Sequence, residues 1–170
     1  MIRDAAMTVK DTFLPDFDHE MAVTRRVLER VPAGALGWKP HDRSFTLGGL
    51  AAHIATIPHW GETILERDSY DVALGGRPGA PPSSAGVLDT FDRHVAAVRR
   101  QLIERSDAEL MAPWSLKRGA QTLMLMPRIV ALRSFLIHHI IHHRGQLTVY
   151  LRLQDVPVPP LYGSTADEQM

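Results

Sequence analysis

The 170-residue sequence contains no cysteine, which excludes disulfide bonds, thiolate metal sites and a cysteine nucleophile. Any transition-metal site in this chain must therefore use histidine together with aspartate, glutamate or water. The sequence also lacks net charge, because 19 basic residues balance 19 acidic residues. A neutral chain without a cluster of Lys and Arg gives no support for binding to nucleic acid or to an anionic membrane surface.

Long apolar runs are absent too. No run approaches the ~20 residues that a membrane-spanning helix needs, and the first residues lack the apolar core of a signal peptide. We therefore expect a cytoplasmic protein that does not act on membranes. The length is sufficient for one domain with a sizeable core, so we predict a single domain over residues 1–170.

Histidine is the conspicuous residue type, with nine in the chain. Two interleaved pairs at i, i+4 spacing lie close to the carboxyl end: His138 with His142, and His139 with His143. On a helix each pair projects from one face. Two imidazoles arranged in this way can bind one metal ion from the same side.

Apolar periodicity indicates which pair points inward. One stripe is apolar at both ends, whereas the stripe that carries His138 and His142 ends in Gly and Arg and is typical of a solvated face. We therefore predict that His139 and His143 face the interior. Two alternatives remain open from the residues alone: hydrogen-bonded core histidines and a solvated histidine patch. The predicted inward stripe is Leu132, Leu136, His139, His143, Gln146, Tyr150 and Leu153.

Four amphipathic segments with irregular connections predict an all-α protein, a four-helix bundle with long irregular connections. Pro58 falls inside the second segment, so a kink is expected one turn after His53. The helical segments cover about 8–30, 46–67, 85–106 and 127–154. The expected loops include 31–44, the turn-rich stretch 75–84 and 112–122.

Several stretches together resemble the DinB-like family of small four-helix metalloproteins, named for damage-inducible members. They are Trp38-Lys-Pro-His-Asp42, the run Thr46–His53, His139-Ile-Ile-His-His-Arg-Gly-Gln146 with Tyr150-Leu-Arg152, and Pro157-Val-Pro-Pro-Leu-Tyr-Gly163. The most specific part of this pattern is His53 in the second predicted helix, followed by the HxxxH motif of His139 and His143 and then by Arg144-Gly-Gln146.

The resemblance implies a three-histidine metal site formed by His53, His139 and His143. It implies a divalent transition metal, with zinc or nickel favoured and iron or manganese as alternatives, since all four accept imidazole. It also implies a homodimer. Related members include thiol S-transferases that use bacillithiol and a mycothiol-dependent isomerase, but the resemblance assigns no particular thiol to this chain.

Further candidates surround these ligands. Gln146 and Arg144 could orient ligands from outside the coordination sphere, although Arg144 could equally be solvated or lie at an interface. By position alone, Glu62 and Tyr150 are candidates for a general acid or base; a surface glutamate and a core tyrosine are the alternatives. His59 could form a pocket wall or lie on the surface.

Three functions are consistent with these residues. The first is a metal-dependent transferase or hydrolase with an open site, acting on a small molecule such as a low-molecular-weight thiol. The second is a non-catalytic metal-binding stress-response protein, whose site would be closed by a fourth ligand such as His59 or His94. The third is a structural dimer whose unmetallated histidines hydrogen-bond to one another.

Overall fold

The computed structural model describes residues 7–75 and 83–170, and helices dominate these two ranges. The predicted all-α class is confirmed, with one small sheet added to it. The helices are α1 (Val9–Glu29), α2 (Leu47–Thr56), α3 (Pro58–Glu66), α4 (Ser84–Glu104), α5 (Asp107–Met111), α6 (Arg128–Leu132) and α7 (His139–Leu153). The strands are β1 (Ser69–Asp71), β2 (Pro113–Arg118) and β3 (Gln121–Pro127).

We call the four long helical segments of the bundle rods. The second rod divides into α2 and α3 at Ile57, immediately before Pro58. A proline in this position cannot donate a backbone hydrogen bond to the carbonyl of Ile54, so the helix is interrupted there. Pro58 is the first residue of α3, a position where the absence of a backbone N–H costs no helical hydrogen bond. The interruption predicted one turn after His53 is confirmed.

The last rod consists of α6, a π-helical segment over Arg133–His138, and α7. A π-helical turn contains more residues than an α-helical turn, so it rotates the helix beyond it about the rod axis. The core-facing residues of the rod advance in four-residue steps, namely Leu132, Leu136, Ile140 and Arg144, before Leu147 and Leu151.

The predicted inward stripe is therefore wrong at Gln146 and Leu153, and the inward position predicted for His139 and His143 holds in part. Leu153 is 55% exposed, Gln146 is exposed, and His139 and His143 are half-buried at the margin of the core. The prediction assumed a constant α-helical period, and the π-helical segment breaks that period.

A three-stranded sheet contacts α3 and α6, with β1 parallel to β2 and β2 antiparallel to β3. The loop expected over 112–122 is thus largely a hairpin, which turns at Gly119 with a φ of 56°. Trp114 on β2 is fully buried and anchors the sheet to the core. Of the turn-rich stretch expected over 75–84, residues 76–82 lie outside the described residues.

None of the helices within the described part of the chain is both long and apolar enough to cross a membrane.

Gly61 lets α3 approach α4 and the last rod closely. A Cβ at this position would lie 2.9 Å from Val98 Cγ2 and 3.0 Å from Leu136 Cδ2. We expect Gly61→Ala to lower the free energy of unfolding by about 1 kcal/mol, because overpacking costs about 1–3 kcal/mol and alanine recovers about 1 kcal/mol of helix propensity. Denaturant unfolding measures the change.

Gly145 provides the matched control, because it also lies in a helix but a Cβ there would meet nothing within 4 Å. Gly145→Ala should raise the free energy of unfolding by up to about 1 kcal/mol through helix propensity alone. Equal effects of the two variants would contradict the close packing at Gly61.

Candidate metal centre

The structure brings together His53 from α2 with His139 and His143 from α7, and we call these three residues the histidine triad. Each offers one ring nitrogen, and these nitrogens all lie within 4.8 Å of one another. The Nε2 atoms of His53 and His139 are 3.2 Å apart. The ring centroid of His53 lies 5.1 Å from that of His139 and 4.5 Å from that of His143. Helices distant in sequence therefore converge on one point.

The spacing of the triad fits a divalent transition metal. Imidazole nitrogens bind zinc at about 2.0–2.1 Å in a tetrahedral arrangement, which places neighbouring ligand nitrogens about 3.3 Å apart. The His53–His139 separation of 3.2 Å is already close to that value. Within the described residues, no fourth histidine or carboxylate belongs to this group. Three protein ligands leave at least one coordination position for water or a substrate.

Burial favours the neutral form of the two α7 members of the triad. It lowers the pKa of His139, and the nearby His143 lowers it further, while a hydrogen bond to the Phe135 backbone acts in the opposite direction. Burial likewise lowers the pKa of His143 against a hydrogen bond to Gln146 that raises it. Neutral imidazole is the form that binds metals, so both rings remain competent ligands below the usual histidine pKa.

Gln146 fixes the ring of His143. Its Oε1 atom lies 2.7 Å from His143 Nδ1. Because an amide oxygen accepts hydrogen bonds, this contact favours the tautomer of His143 that carries the proton on Nδ1 and has a lone pair on Nε2. Gln146 was predicted to orient a ligand, and its position one turn after His143 allows this role.

We expect Gln146→Leu to weaken metal binding by about 10- to 100-fold, the usual effect of removing an outer-sphere partner of a ligand histidine. The reason is that His143 loses the contact that selects its tautomer. Competition with a chromophoric chelator measures the affinity. Gln154→Leu, just beyond the end of the same helix, is the control and should bind as the wild type does; an unchanged affinity of Gln146→Leu would refute the role.

A cavity of about 770 Å³ opens onto the triad. This volume lies in the range of pockets that bind small molecules. His59, predicted as a pocket wall or surface residue, belongs to the lining. Most of the wall is apolar, including Phe45, Ala52, Ile57, Trp60, Val72 and Leu74. The arrangement therefore places three nitrogen ligands at the wall of a mostly hydrophobic chamber.

Phe45 is a site residue that the sequence analysis missed. Its ring stacks on His53 with centroids 5.7 Å apart and planes at 15°, which limits rotation of that imidazole. Phe45 precedes the helix cap Thr46, and an aromatic residue next to a helix start gave no signal that it belongs to a site.

Tyr150 supports the loop that contains Phe45 from outside the cavity lining, since its hydroxyl donates to the Phe45 carbonyl at 3.3 Å. Its ring also packs edge-on against Trp38 at 5.7 Å.

Glu62 lies apart from the triad. Its Oε1 atom is 2.5 Å from Nδ1 of His94 on α4. His94, considered as a possible fourth ligand, is therefore engaged with Glu62 instead. Both residues form a separate cluster with His59, and neither Glu62 nor His94 lies in the cavity lining that the described residues form.

The predicted role of Arg144 near the ligands is wrong. Its side chain is 1% exposed and forms a 2.7 Å ion pair with Glu20 of α1. It also donates to Thr24 Oγ1 at 3.1 Å and to the Tyr162 hydroxyl at 2.5 Å. Arg144 points into the core because a charged side chain can be buried only where charged and polar partners satisfy it, and α1 provides those partners.

The fold and the triad together define a helical-bundle protein with a three-histidine candidate metal centre. Residues 6–169 match the family model for the DinB family. The chain therefore belongs to the DinB family, which confirms the resemblance.

The chain is also similar to individual proteins. The chain is 25% identical over 162 residues to YrdA, an uncharacterized protein of Bacillus subtilis (strain 168), covering 93% of this chain and 90% of that protein. A DinB-like protein from Bacillus cereus ATCC 10987 superimposes with a TM-score of 0.71 at 25% identity, covering 92% and 99% of the two chains. The DinB-like protein YjoA from Bacillus subtilis gives a TM-score of 0.69 at 17% identity, with 89% and 96% covered, and supports the fold alone.

Proposed function

We propose that this protein is a metal-dependent enzyme that acts on a small molecule, with a low-molecular-weight thiol as the preferred substrate class. The observation that carries the proposal is the open histidine triad at the wall of a mostly apolar cavity of about 770 Å³. Zinc or nickel is the proposed ion, with iron or manganese as alternatives.

His53, His139 and His143 would hold the ion, and Gln146 would keep His143 in the tautomer that presents Nε2. A bound divalent cation supplies a Lewis-acidic position that lowers the pKa of a coordinated thiol or water and favours its deprotonated form. Since all three ligands are neutral, they leave the positive charge of the cation uncompensated, which favours an anionic ligand.

The walls of the cavity have a separate role. Apolar residues such as Phe45 and Trp60 exclude water from a bound substrate and strengthen electrostatic interactions inside the cavity. They also provide a surface for the hydrophobic part of an electrophile. Hydrolysis needs one organic substrate and a water molecule, whereas thiol transfer needs a thiol and an electrophile. The large apolar cavity has room for two organic substrates, and we therefore favour thiol transfer.

A structural role for unmetallated histidines is the competing function, and one contact favours it. His53 and His139 lie within hydrogen-bonding distance of each other through their Nε2 atoms. One neutral ring could donate to the other without any metal. Such a protein would carry no stoichiometric metal when it is purified without a histidine tag.

Elemental analysis of the untagged protein distinguishes these functions, followed by a thiol-transfer screen with the metal-loaded form. We expect at least one transition-metal ion per chain and a thiol-dependent reaction that is lost on treatment with a chelator and restored by the metal. Metal-free protein that shows no uptake on loading would reject the enzyme proposal in favour of the structural role. Stoichiometric metal with no activity on thiols or hydrolysable esters would favour a non-catalytic metal-binding protein.

The predicted homodimer stays a prediction. Light scattering coupled to size exclusion gives the molar mass in solution and decides between one and two copies of the 19.0 kDa chain.

A further inference from the structure

A second cluster of metal-ligating side chains lies between α3 and α4, outside the triad. His59 and Glu62 come from α3 and His94 comes from α4, and one ligand atom of each lies within 4.8 Å of the other two. His94 Nδ1 is 2.5 Å from Glu62 Oε1. The ring centroids of His59 and His94 are 5.4 Å apart. We call these three residues the α3–α4 cluster.

We propose that the α3–α4 cluster binds a second divalent transition cation, independently of the triad. Two imidazoles and one carboxylate form a common ligand set for zinc and for other borderline divalent ions. His59 and Glu62 are three residues apart on one helix, so their side chains leave the same face. His94 completes the set from the facing helix, and a bound ion would link α3 to α4.

The positions of the ligand atoms require only a small adjustment. Neighbouring ligands of a tetrahedral zinc ion lie about 3.3 Å apart, so the hydrogen-bonded pair Glu62 and His94 must separate by about 0.8 Å. A cation would take the place of the hydrogen between these two atoms: the neutral ring of His94 would coordinate through Nδ1 and carry its one proton on Nε2, so the exchange needs no net release of a proton. His59 is exposed and can rotate to complete the site.

The environment of the cluster favours a cation over a simple ion pair. The side chains of Glu62 and His94 are each only 18% exposed, so the carboxylate is partly removed from water and gains more from a divalent partner than it would on the surface. His59 also lines the cavity. An ion bound by the cluster would therefore contact the cavity wall through His59 alone.

Titration of untagged, metal-free protein with Zn²⁺ tests the proposal, with bound metal measured by calorimetry and by elemental analysis after desalting. The wild type should bind two equivalents per chain. Glu62→Gln, which keeps the size of the side chain and removes its charge, and His94→Ala should each bind one. His139→Ala should keep the equivalent held by the α3–α4 cluster. His138→Ala changes an exposed histidine of the last rod and should keep both.

The same variants separate failure of this site from failure of the triad. If the wild type binds one equivalent that His139→Ala abolishes and Glu62→Gln retains, the second site does not exist. If Glu62→Gln and His94→Ala both still bind two equivalents, the cluster is not the site and the proposal is overturned. A third outcome is that the wild type binds one equivalent, which is lost in Glu62→Gln and kept in His139→Ala. This outcome supports the second site and rejects the triad as a metal centre. Circular dichroism confirms that each variant is folded, and Glu62→Gln decides the question if His94→Ala is not.

Discussion

Replacement of His139 with alanine is expected to abolish stoichiometric metal binding at the triad and any activity that depends on it. Loss of an outer-sphere partner alone weakens such sites by about 10- to 100-fold, so loss of a ligand should exceed 100-fold. His139 is the member of the triad whose Nε2 lies 3.2 Å from that of His53, and its loss leaves α7 with His143 as its one ligand in the triad. Calorimetric titration with Zn²⁺ and turnover in the thiol screen measure the two effects.

His138→Ala is the control for this experiment, because it removes a neighbouring imidazole that is exposed and outside the triad. It should leave metal affinity and activity at the triad unchanged. Full metal affinity and full activity in His139→Ala would refute the triad as the functional centre. A parallel loss in His138→Ala would indicate that the histidine run acts as a patch without a defined geometry.

Arg144→Ala is expected to lower the free energy of unfolding by about 3–5 kcal/mol, the typical effect of removing one partner of a buried ion pair. The remaining carboxylate of Glu20, which pairs with Arg144 at 2.7 Å, would stay largely buried without its cation. The hydroxyl of Tyr162 would lose its donor as well. Chemical denaturation of metal-free protein measures the loss without any contribution from metal binding.

Arg99→Ala is the matched control, since Arg99 pairs with Asp18 at 2.8 Å but both side chains are over a third exposed. It should cost less than about 1 kcal/mol. The double variant Glu20→Leu with Arg144→Met should be more stable than Arg144→Ala alone, because it leaves no unpaired charge. A loss below about 1 kcal/mol in Arg144→Ala would contradict a buried, compensated pair.

The sequence predicted the helical course of the last rod and two of the three candidate metal ligands. The i, i+4 spacing of His139 and His143 inside an apolar segment indicated two ligands on one face without further information. His53 could not be identified in the same way, because its periodicity placed it only beside the apolar stripe of its helix. The family resemblance selected it, and the structure places it next to the other two rings.

Two features of the fold were predicted wrongly for identifiable reasons. The loop prediction over 112–122 is wrong at the hairpin of β2 and β3. Pro113 and Gly119 are typical of a loop, whereas burial of Trp114 stabilises a strand there. The inward stripe of the last rod was extended past Leu136 with a constant period. The π-helical segment changes that period, and its residues have no sequence pattern that predicts the change.

By itself, the sequence determined where the helices form, how the second rod is interrupted at Pro58 and which histidines share a face. These features depend on interactions between residues a few positions apart, which the local pattern records. Only the tertiary structure decided that His53 meets α7, that Arg144 pairs with a carboxylate on α1 and that Glu62 faces His94. Such contacts depend on how each helix is rotated about its own axis in the packed bundle, and that rotation is set by the fit of many side chains together.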